Sequence, residues 1–66
     1  MIKLETTLRQ LNDLFEILGT WQAVAKVTGY NRATINKWFA GTRIPSDLSR
    51  EIVDLEHYNR VRKVRA

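Results

Sequence analysis

The sequence predicts an all-α fold, a small bundle of four or five helices. Apolar residues recur at helical spacing in four segments, and residues typical of helix ends separate these segments. The connections between them are short, as in helical bundles. The 66 residues are enough for one small domain, residues 1–66, and 44% of them are hydrophobic. They can therefore supply one thin core.

The first predicted helix is amphipathic. Its apolar stripe, spaced by four, three, four and three residues, consists of Leu4, Leu8, Leu11, Phe15 and Leu18. Thr7, with Gln10 three residues later, is interpreted as a capping box, and Gly19 as the left-handed residue that ends the helix. The residues before Thr6 are expected to form an extra turn or an extended arm.

Two short helices joined by a tight turn are predicted next. Thr20 is the expected cap of the second helix, residues 21–28, which ends at Gly29. Asn31 is the expected cap of the third helix, residues 32–40. A helix of two turns is not stable alone. The pair must therefore pack on its neighbours.

A fourth helix is predicted after the break at Pro45, with Ser46 or Asp47 as its cap. Its apolar face is predicted from spacing to hold Leu48, Ile52, Leu55 and Tyr58. Leu48 and Ile52 are expected in the core. The remaining apolar residues exceed what one thin core buries, and the candidate contacts of a homodimer are Leu55, Tyr58 and Val61. The alternative is that Tyr58 and Val61 complete the core of the monomer.

The charge is positive and unevenly distributed. Eleven Lys and Arg against seven Asp and Glu give a net charge of +4, and residues 17–46 contain no acidic residue. That window carries Lys26, Arg32, Lys37 and Arg43, and a basic tail, residues 60–66, carries Arg60, Arg62, Lys63 and Arg65. Nucleic acid is the first partner to consider for such a chain. The alternative is that these bases only form a solvated surface.

Several classes of function are excluded by composition. The chain has no cysteine, and its single histidine, His57, has no second histidine with which to form a metal site or a catalytic dyad. The carboxylate pairs at helical spacing, Asp13 with Glu16 and Glu51 with Asp54, are interpreted as solvated helix faces. We therefore expect no enzyme, no catalytic residue, no metal and no cofactor. We also expect no signal peptide and no membrane span, and hence a soluble intracellular protein.

The second and third predicted helices form a helix-turn-helix, about residues 20–41, the motif that presents its second helix to the DNA major groove. Counted from Trp21 as the first position, Ala25 is fifth, Gly29 ninth, Ile35 fifteenth and Trp38 eighteenth. Ala25 is small where the two helices cross, and Gly29 supplies a positive φ in the turn. Ile35 and Trp38 are expected to hold the angle between the helices by burying apolar surface.

The segment LGTWQAVAKVTGYNRATINKWFAGTRIP, residues 18–45, resembles the phage Cro and repressor class of helix-turn-helix proteins. The resemblance is strongest to the short, all-helical Cro proteins of lambdoid phages, and it covers 28 of the 66 residues. Two residues depart from the family pattern: Thr28 replaces an apolar residue, and Phe39 is more apolar than its position requires. The resemblance implies a phage or prophage protein acting in the cytoplasm of a bacterial host.

The outward face of the third helix is predicted to read base edges with Arg32, Ala33, Asn36 and Lys37. Arginine and lysine donate to guanine, asparagine pairs with adenine, and an alanine methyl contacts the thymine methyl. The resemblance implies the same four positions. Contacts with the DNA backbone are expected from Thr20 and Gln22 at the start of the second helix, where the helix dipole and unpaired N–H groups favour an anion. Asn31 and Thr34 are expected to add to them, and the resemblance implies a further backbone contact from Arg43. For Arg32 and Lys37 the alternative is simple solubilising charge.

These predictions together indicate a sequence-specific, double-stranded DNA-binding transcriptional regulator, a Cro-like repressor that acts by operator occlusion. The expected partners are a palindromic operator and a second copy, as a weak homodimer formed on DNA. The alternative is a protein-interaction module, antitoxin-like or an adaptor. Such a module would use Phe39, Leu55, Tyr58 and the basic tail.

Overall fold

The structure, a computed structural model, describes residues 2–65 and the side chains of residues 2–64. Met1, Ala66 and the side chain of Arg65, all within the predicted domain 1–66, lie outside the described residues. The elements are α1 (Leu4–Leu18), α2 (Trp21–Thr28), α3 (Arg32–Ala40), α4 (Asp47–His57), a π-helical turn (Tyr58–Arg62) and α5 (Lys63–Arg65). Every regular element between residues 2 and 65 is thus helical, which confirms the predicted small all-α bundle. None of these helices is long and apolar enough to cross a membrane.

The predicted N-terminal caps of α2, α3 and α4 are confirmed. Thr20 Oγ1 accepts a hydrogen bond from the Ala23 backbone N–H at 3.1 Å, and Asn31 Oδ1 accepts one from Thr34 at 2.7 Å. Ser46 Oγ accepts one from the Ser49 backbone N–H at 3.1 Å. Each cap satisfies an N–H group that has no partner inside its helix. Left-handed glycines end the first three helices, at Gly19, Gly29 and Gly41.

The predicted capping box in α1 is wrong. The helix begins one turn earlier, at Leu4, which confirms the expectation of an extra turn before Thr6. Thr7 is fully buried inside α1, and its hydroxyl donates to the Lys3 carbonyl at 3.4 Å. Gln10 is also buried, and its Nε2 donates to Asp54 Oδ1 on α4 at 2.7 Å. Residues three apart on a helix lie on the same face, and here both polar residues lie on the buried face of α1.

The core draws residues from α1, α2, α3, α4 and the π-helical turn. Its buried members are Leu11, Leu14, Val24, Ile35, Trp38, Val53 and Val61. Half-buried apolar side chains pack against them: Leu8, Phe15, Leu18, Trp21, Ala25 and Tyr30. The helix-turn-helix pair, α2 and α3, therefore shares one core with α1 and α4.

The inward face of α4 differs from the predicted one. Ser49, Val53 and His57 are buried, whereas Leu48 is 64% exposed and Ile52 is half-buried. Placing Leu48 in the core was wrong. Apolar spacing identifies one face of α4, but the face that packs on α1 is the one whose polar side chains find partners there and in the turn.

Val61 completes the core of the monomer and is only 2% exposed, so its assignment as a dimer contact is corrected. It follows Val53 and His57 at spacings of four, which on an α-helix drift around the axis. In the π-helical turn the Lys63 N–H bonds to the Tyr58 carbonyl, five residues back. Such a turn winds more residues per turn than an α-helix and returns Val61 to the core side.

Polar contacts join α1 to α4. Asp13 Oδ2 lies 2.8 Å from Nε2 of the buried His57, and Asp54 Oδ1 accepts hydrogen bonds from Gln10 and Arg62. The prediction that Asp13 and Asp54 lie on solvated faces is therefore wrong, because both are half-buried and engaged across the helix interface. Their predicted companions, Glu16 and Glu51, are exposed.

Removing the carboxylate of Asp13 is expected to destabilise the fold. Asp13→Ala leaves the buried Nε2 of His57 without its partner, which typically costs about 1–2 kcal/mol. In a domain of this size the melting temperature would fall by roughly 4–16 °C. Thermal unfolding followed by circular dichroism measures the change. The matched control is Glu16→Ala, an exposed acid on the same helix, and equal losses in the two variants would contradict the assigned contact.

Candidate nucleic-acid interface

The turn between α2 and α3 has three residues, Gly29, Tyr30 and Asn31. Gly29 has a φ of +82°, and its N–H donates to the Ala25 carbonyl at 2.9 Å. Thr28, next to it, is 4% exposed, and its hydroxyl donates to the Val24 carbonyl at 2.9 Å. This internal hydrogen bond satisfies the hydroxyl group. It explains how a polar residue fits a position that is apolar in the resembled family.

The orientation of α3 is set by two buried side chains. Ile35 is 1% exposed and Trp38 is 2% exposed, as predicted. The ring of Tyr30 packs edge-on against Trp38 with centroids 5.1 Å apart, and its hydroxyl accepts a hydrogen bond from Ser49 on α4 at 2.8 Å. The turn, α3 and α4 are thereby tied together at one point.

The opposite face of α3 is open to solvent. The predicted base-reading residues are all exposed: Arg32, Ala33, Asn36 and Lys37. Ala33, Asn36 and Lys37 lie on the side away from Ile35 and Trp38, and Arg32 flanks them. Ala40, which the sequence analysis did not single out, is exposed on the same row one turn beyond Asn36. Its spacing of seven from Ala33 was the signal available in the sequence.

The basic side chains around this face are not paired with acidic side chains of the described residues. Among the described side chains, none of the four bases in the acid-free window forms a salt bridge: Lys26, Arg32, Lys37 and Arg43. Two bases of the tail differ, because Arg60 pairs with Glu56 at 2.8 Å and Arg62 with Asp54 at 3.0 Å. The charges of the four bases in the acid-free window are therefore available to an anion.

Four of the five residues predicted to contact the DNA backbone fall into two groups. Gln22 and Asn31 border a shallow groove beside the turn together with Lys26, an exposed base. Thr34 and Arg43 line a half-open cleft of about 250 Å³ between α3 and the start of α4. The two groups border different grooves of the α2–α3 region.

Three of the predicted residues, Thr20, Asn31 and Ala25, make structural contacts in this region. Thr20 is exposed at the start of α2, where its oxygen caps the helix. Asn31 caps α3 in the same way. Ala25 is half-buried against the core, but one side of it borders the shallow groove.

An aromatic ladder braces the pair against α1. Phe15 stacks on Trp21 with centroids 4.7 Å apart, and Phe39 meets Trp21 edge-on at 5.5 Å. Phe39 is 38% exposed and covers part of Trp21. The ladder gives Phe39 a structural duty and accounts for its apolar character.

No group of three or more His, Asp or Glu side chains among the described residues is arranged to hold a metal ion. Comparison with protein families, curated proteins and solved structures found no match to this chain.

The left-handed turn at Gly29 gives a stability prediction. A Cβ added there meets no atom within 4 Å, so Gly29→Ala introduces only backbone strain. That strain is expected to cost about 1 kcal/mol. Gly29→Asn should cost less, because asparagine tolerates the left-handed region. Chemical denaturation of both variants measures the two losses, and a larger loss for asparagine than for alanine would show that space limits this position.

Proposed function

We propose that this chain binds double-stranded DNA sequence-specifically, with α3 in the major groove. The observation that carries the proposal is the exposed, acid-free face of α3, whose orientation is fixed by Ile35 and Trp38 on the buried side. An α-helix fits the major groove of B-DNA, where every base pair presents a distinct set of donors and acceptors. A rigidly held helix with unpaired donors on its outward row suits that groove.

Each outward side chain has a chemical counterpart on a base edge. Arg32 and Lys37 would donate to O6 and N7 of guanine, and Asn36 would pair bidentately with adenine. The methyl groups of Ala33 and Ala40 would contact thymine methyls or allow the helix backbone to approach the bases closely. These contacts together would determine the preferred sequence.

Contacts with phosphates would position α3. Gln22, Lys26 and Asn31 lie beside one groove, and Thr34 and Arg43 beside another, so both groups flank the reading helix. The first turn of α2 adds backbone N–H groups and the Thr20 hydroxyl, which favour an anion. Phosphate contacts supply affinity and register without sequence information.

The resemblance to the Cro and repressor class extends the proposal to transcription. Occupancy of an operator would exclude RNA polymerase from the promoter, so the chain would act as a repressor in a bacterial cytoplasm, encoded by a phage or prophage. It would act without a cofactor. This mechanism requires only specific binding to the operator.

A protein-interaction module is the second candidate. Exposed apolar side chains favour it, since Phe39, Leu55 and Tyr58 are between 38% and 57% exposed. The two candidates differ in their dependence on salt. Each phosphate neutralised by a base contributes about −0.9 to the slope of log K against log salt, so a DNA reader weakens steeply as salt rises.

The deciding experiment is selection of bound duplexes from a random pool, with binding to a random duplex measured across salt concentrations. An enriched motif and a steep salt slope would support the DNA-binding proposal. A flat slope and no enrichment would favour the interaction module.

Substitutions on α3 should change sequence preference locally. Lys37→Ala or Arg32→Ala is expected to cost about 1–3 kcal/mol at the preferred site and to relax the preference at one position. Arg43→Ala should weaken binding to all sequences alike. Repeating the selection with each variant measures both effects, with Arg9→Ala, an exposed base on α1, as the control. An unchanged motif with Lys37→Ala would show that α3 does not determine the base preference.

Two copies are expected on one palindromic operator. A single short helix reads too few base pairs for the affinity of about 10⁻⁸ M or tighter that specific regulators reach. Two equivalent helices about 34–36 Å apart would read successive turns of one face of the duplex. Sedimentation with a selected duplex measures the stoichiometry. One chain per full-length site at saturation would contradict this expectation.

A further inference from the structure

A half-open cleft of about 250 Å³ lies between α3 and the start of α4. Its apolar wall comes from the loop before α4, where Ile44 is 69% exposed and Pro45 is buried. Trp38 lines the cleft from α3 and is only 2% exposed, so it lies at the inner end. Sites for drug-sized ligands occupy about 300–1,000 Å³. The volume of this cleft therefore suits a smaller molecule.

The indole N–H of Trp38 is a hydrogen-bond donor that has no acceptor among the described residues. It is not one of the fully enclosed polar atoms that lack a partner, which within the described part of the chain are Gln10 Oε1, Arg50 Nε and His57 Nδ1. The N–H is therefore open to the cleft, which is the space that Trp38 lines. An indole N–H can only donate, so its partner in the cleft must be an acceptor.

Hydroxyl groups on the same cleft add further donors. Ser49 is buried, and its Oγ donates to Tyr30 Oη at 2.8 Å. Ser46 Oγ lies 3.0 Å from Ser49 Oγ, so three hydroxyl groups of the lining form a chain. Because Tyr30 accepts from Ser49, its own O–H remains available to donate. Thr34 adds a hydroxyl group that makes no hydrogen bond with the residues the structure describes.

The charge on the cleft is positive. Arg43 is exposed and forms no salt bridge with a described side chain, and none of the described residues that line the cleft is acidic. Asp47, which follows Ser46 in the chain, forms a salt bridge with Arg50. The cleft thus combines a cation and several donors with an apolar wall. An anion with acceptor oxygens complements such a lining.

We propose that this cleft binds a small organic anion, a carboxylate on a short apolar body. The guanidinium of Arg43 would pair with the carboxylate, and Thr34 and the indole N–H of Trp38 would donate to its remaining lone pairs. The apolar body would pack against Ile44 and Pro45. The proposal requires no DNA binding.

A phosphate of the DNA backbone fits the cleft less well. In a duplex each phosphate carries a sugar on both sides, so it would reach Arg43 at the exposed rim and not the inner N–H of Trp38. Arg43 is nevertheless common to both ligands. If the chain binds DNA as proposed, the organic anion would compete with one phosphate for Arg43 and weaken binding to all sequences alike.

Titration of the free protein with benzoate, without DNA, tests the proposal by NMR. The chain has two tryptophans and hence two indole N–H signals, which Trp21→Phe identifies. Benzoate should shift the Trp38 signal and saturate with a Kd of about 1 mM, an affinity within reach of so few atoms. Trp21 stacks on Phe15 and does not line the cleft, so its signal is the internal control.

Two further ligands separate the charge from the apolar body. Benzyl alcohol keeps the ring without the charge, and dimethyl phosphate is a phosphodiester anion without the ring. Each should bind about tenfold more weakly than benzoate. An equal affinity for benzyl alcohol would show that the cleft does not recognise an anion. An equal affinity for dimethyl phosphate would assign the cleft to a backbone phosphate, and either result overturns the proposal.

Arg43→Ala should raise the Kd for benzoate about tenfold, because it removes the charged partner of the carboxylate. The matched control is Arg9→Ala, an exposed arginine on α1, which should leave the Kd unchanged. Circular dichroism checks that both variants are folded. Equal losses in the two variants, no saturable shift, or equal shifts of the Trp21 and Trp38 signals would contradict the proposal. Because DNA is absent, failure here leaves the DNA-binding proposal to its own test.

Discussion

The packing of Trp38 is the contact on which the arrangement of α3 depends. Its ring is buried in the common core, and Tyr30 packs edge-on against it. Ser49 donates to the hydroxyl of Tyr30, so the turn before α3 is also tied to α4. Because one side of α3 is committed to these contacts, its exposed residues form a fixed surface: Arg32, Ala33, Asn36, Lys37 and Ala40. The chemistry available on that surface follows from the packing beneath it.

Much of the fold follows from local rules. The starts of α2, α3 and α4 were predictable because a capping side chain bonds to a backbone group three residues away. The inward face of α4 was not predictable in this way. It includes Ser49 and His57, whose partners Tyr30 and Asp13 lie 19 and 44 residues distant in the chain. A pattern of apolar residues contains no information about such partners.

The candidate site likewise has some features that follow from local sequence rules and others that depend on tertiary packing. The exposure of Arg32, Asn36 and Lys37 was predictable, because two inward residues on a short helix determine which residues point outward. The proximity of Lys26 to Gln22 follows from their spacing of four on α2, whereas their proximity to Asn31 depends on how α2 meets the turn, which requires the packed structure. At Thr7 and Gln10 a local sequence rule gave a wrong prediction. A local signal for a helix start was present, but the helix already had another start, and burial took precedence over capping.

The π-helical turn, Tyr58–Arg62, winds differently from α4. The residues after the turn therefore point in other directions around the helix axis than they would on a continuous α-helix. An α-helix advances about 100° per residue, so a change of one residue in length re-aims everything beyond it by that angle. A wide turn is the segment of a helix that can lose a residue and revert to regular winding. A single deletion that restored regular winding would therefore change the direction of residues 63–65 and would also turn Val61 away from the core. A chain one residue shorter here would need another apolar residue in the place of Val61 to complete the same bundle.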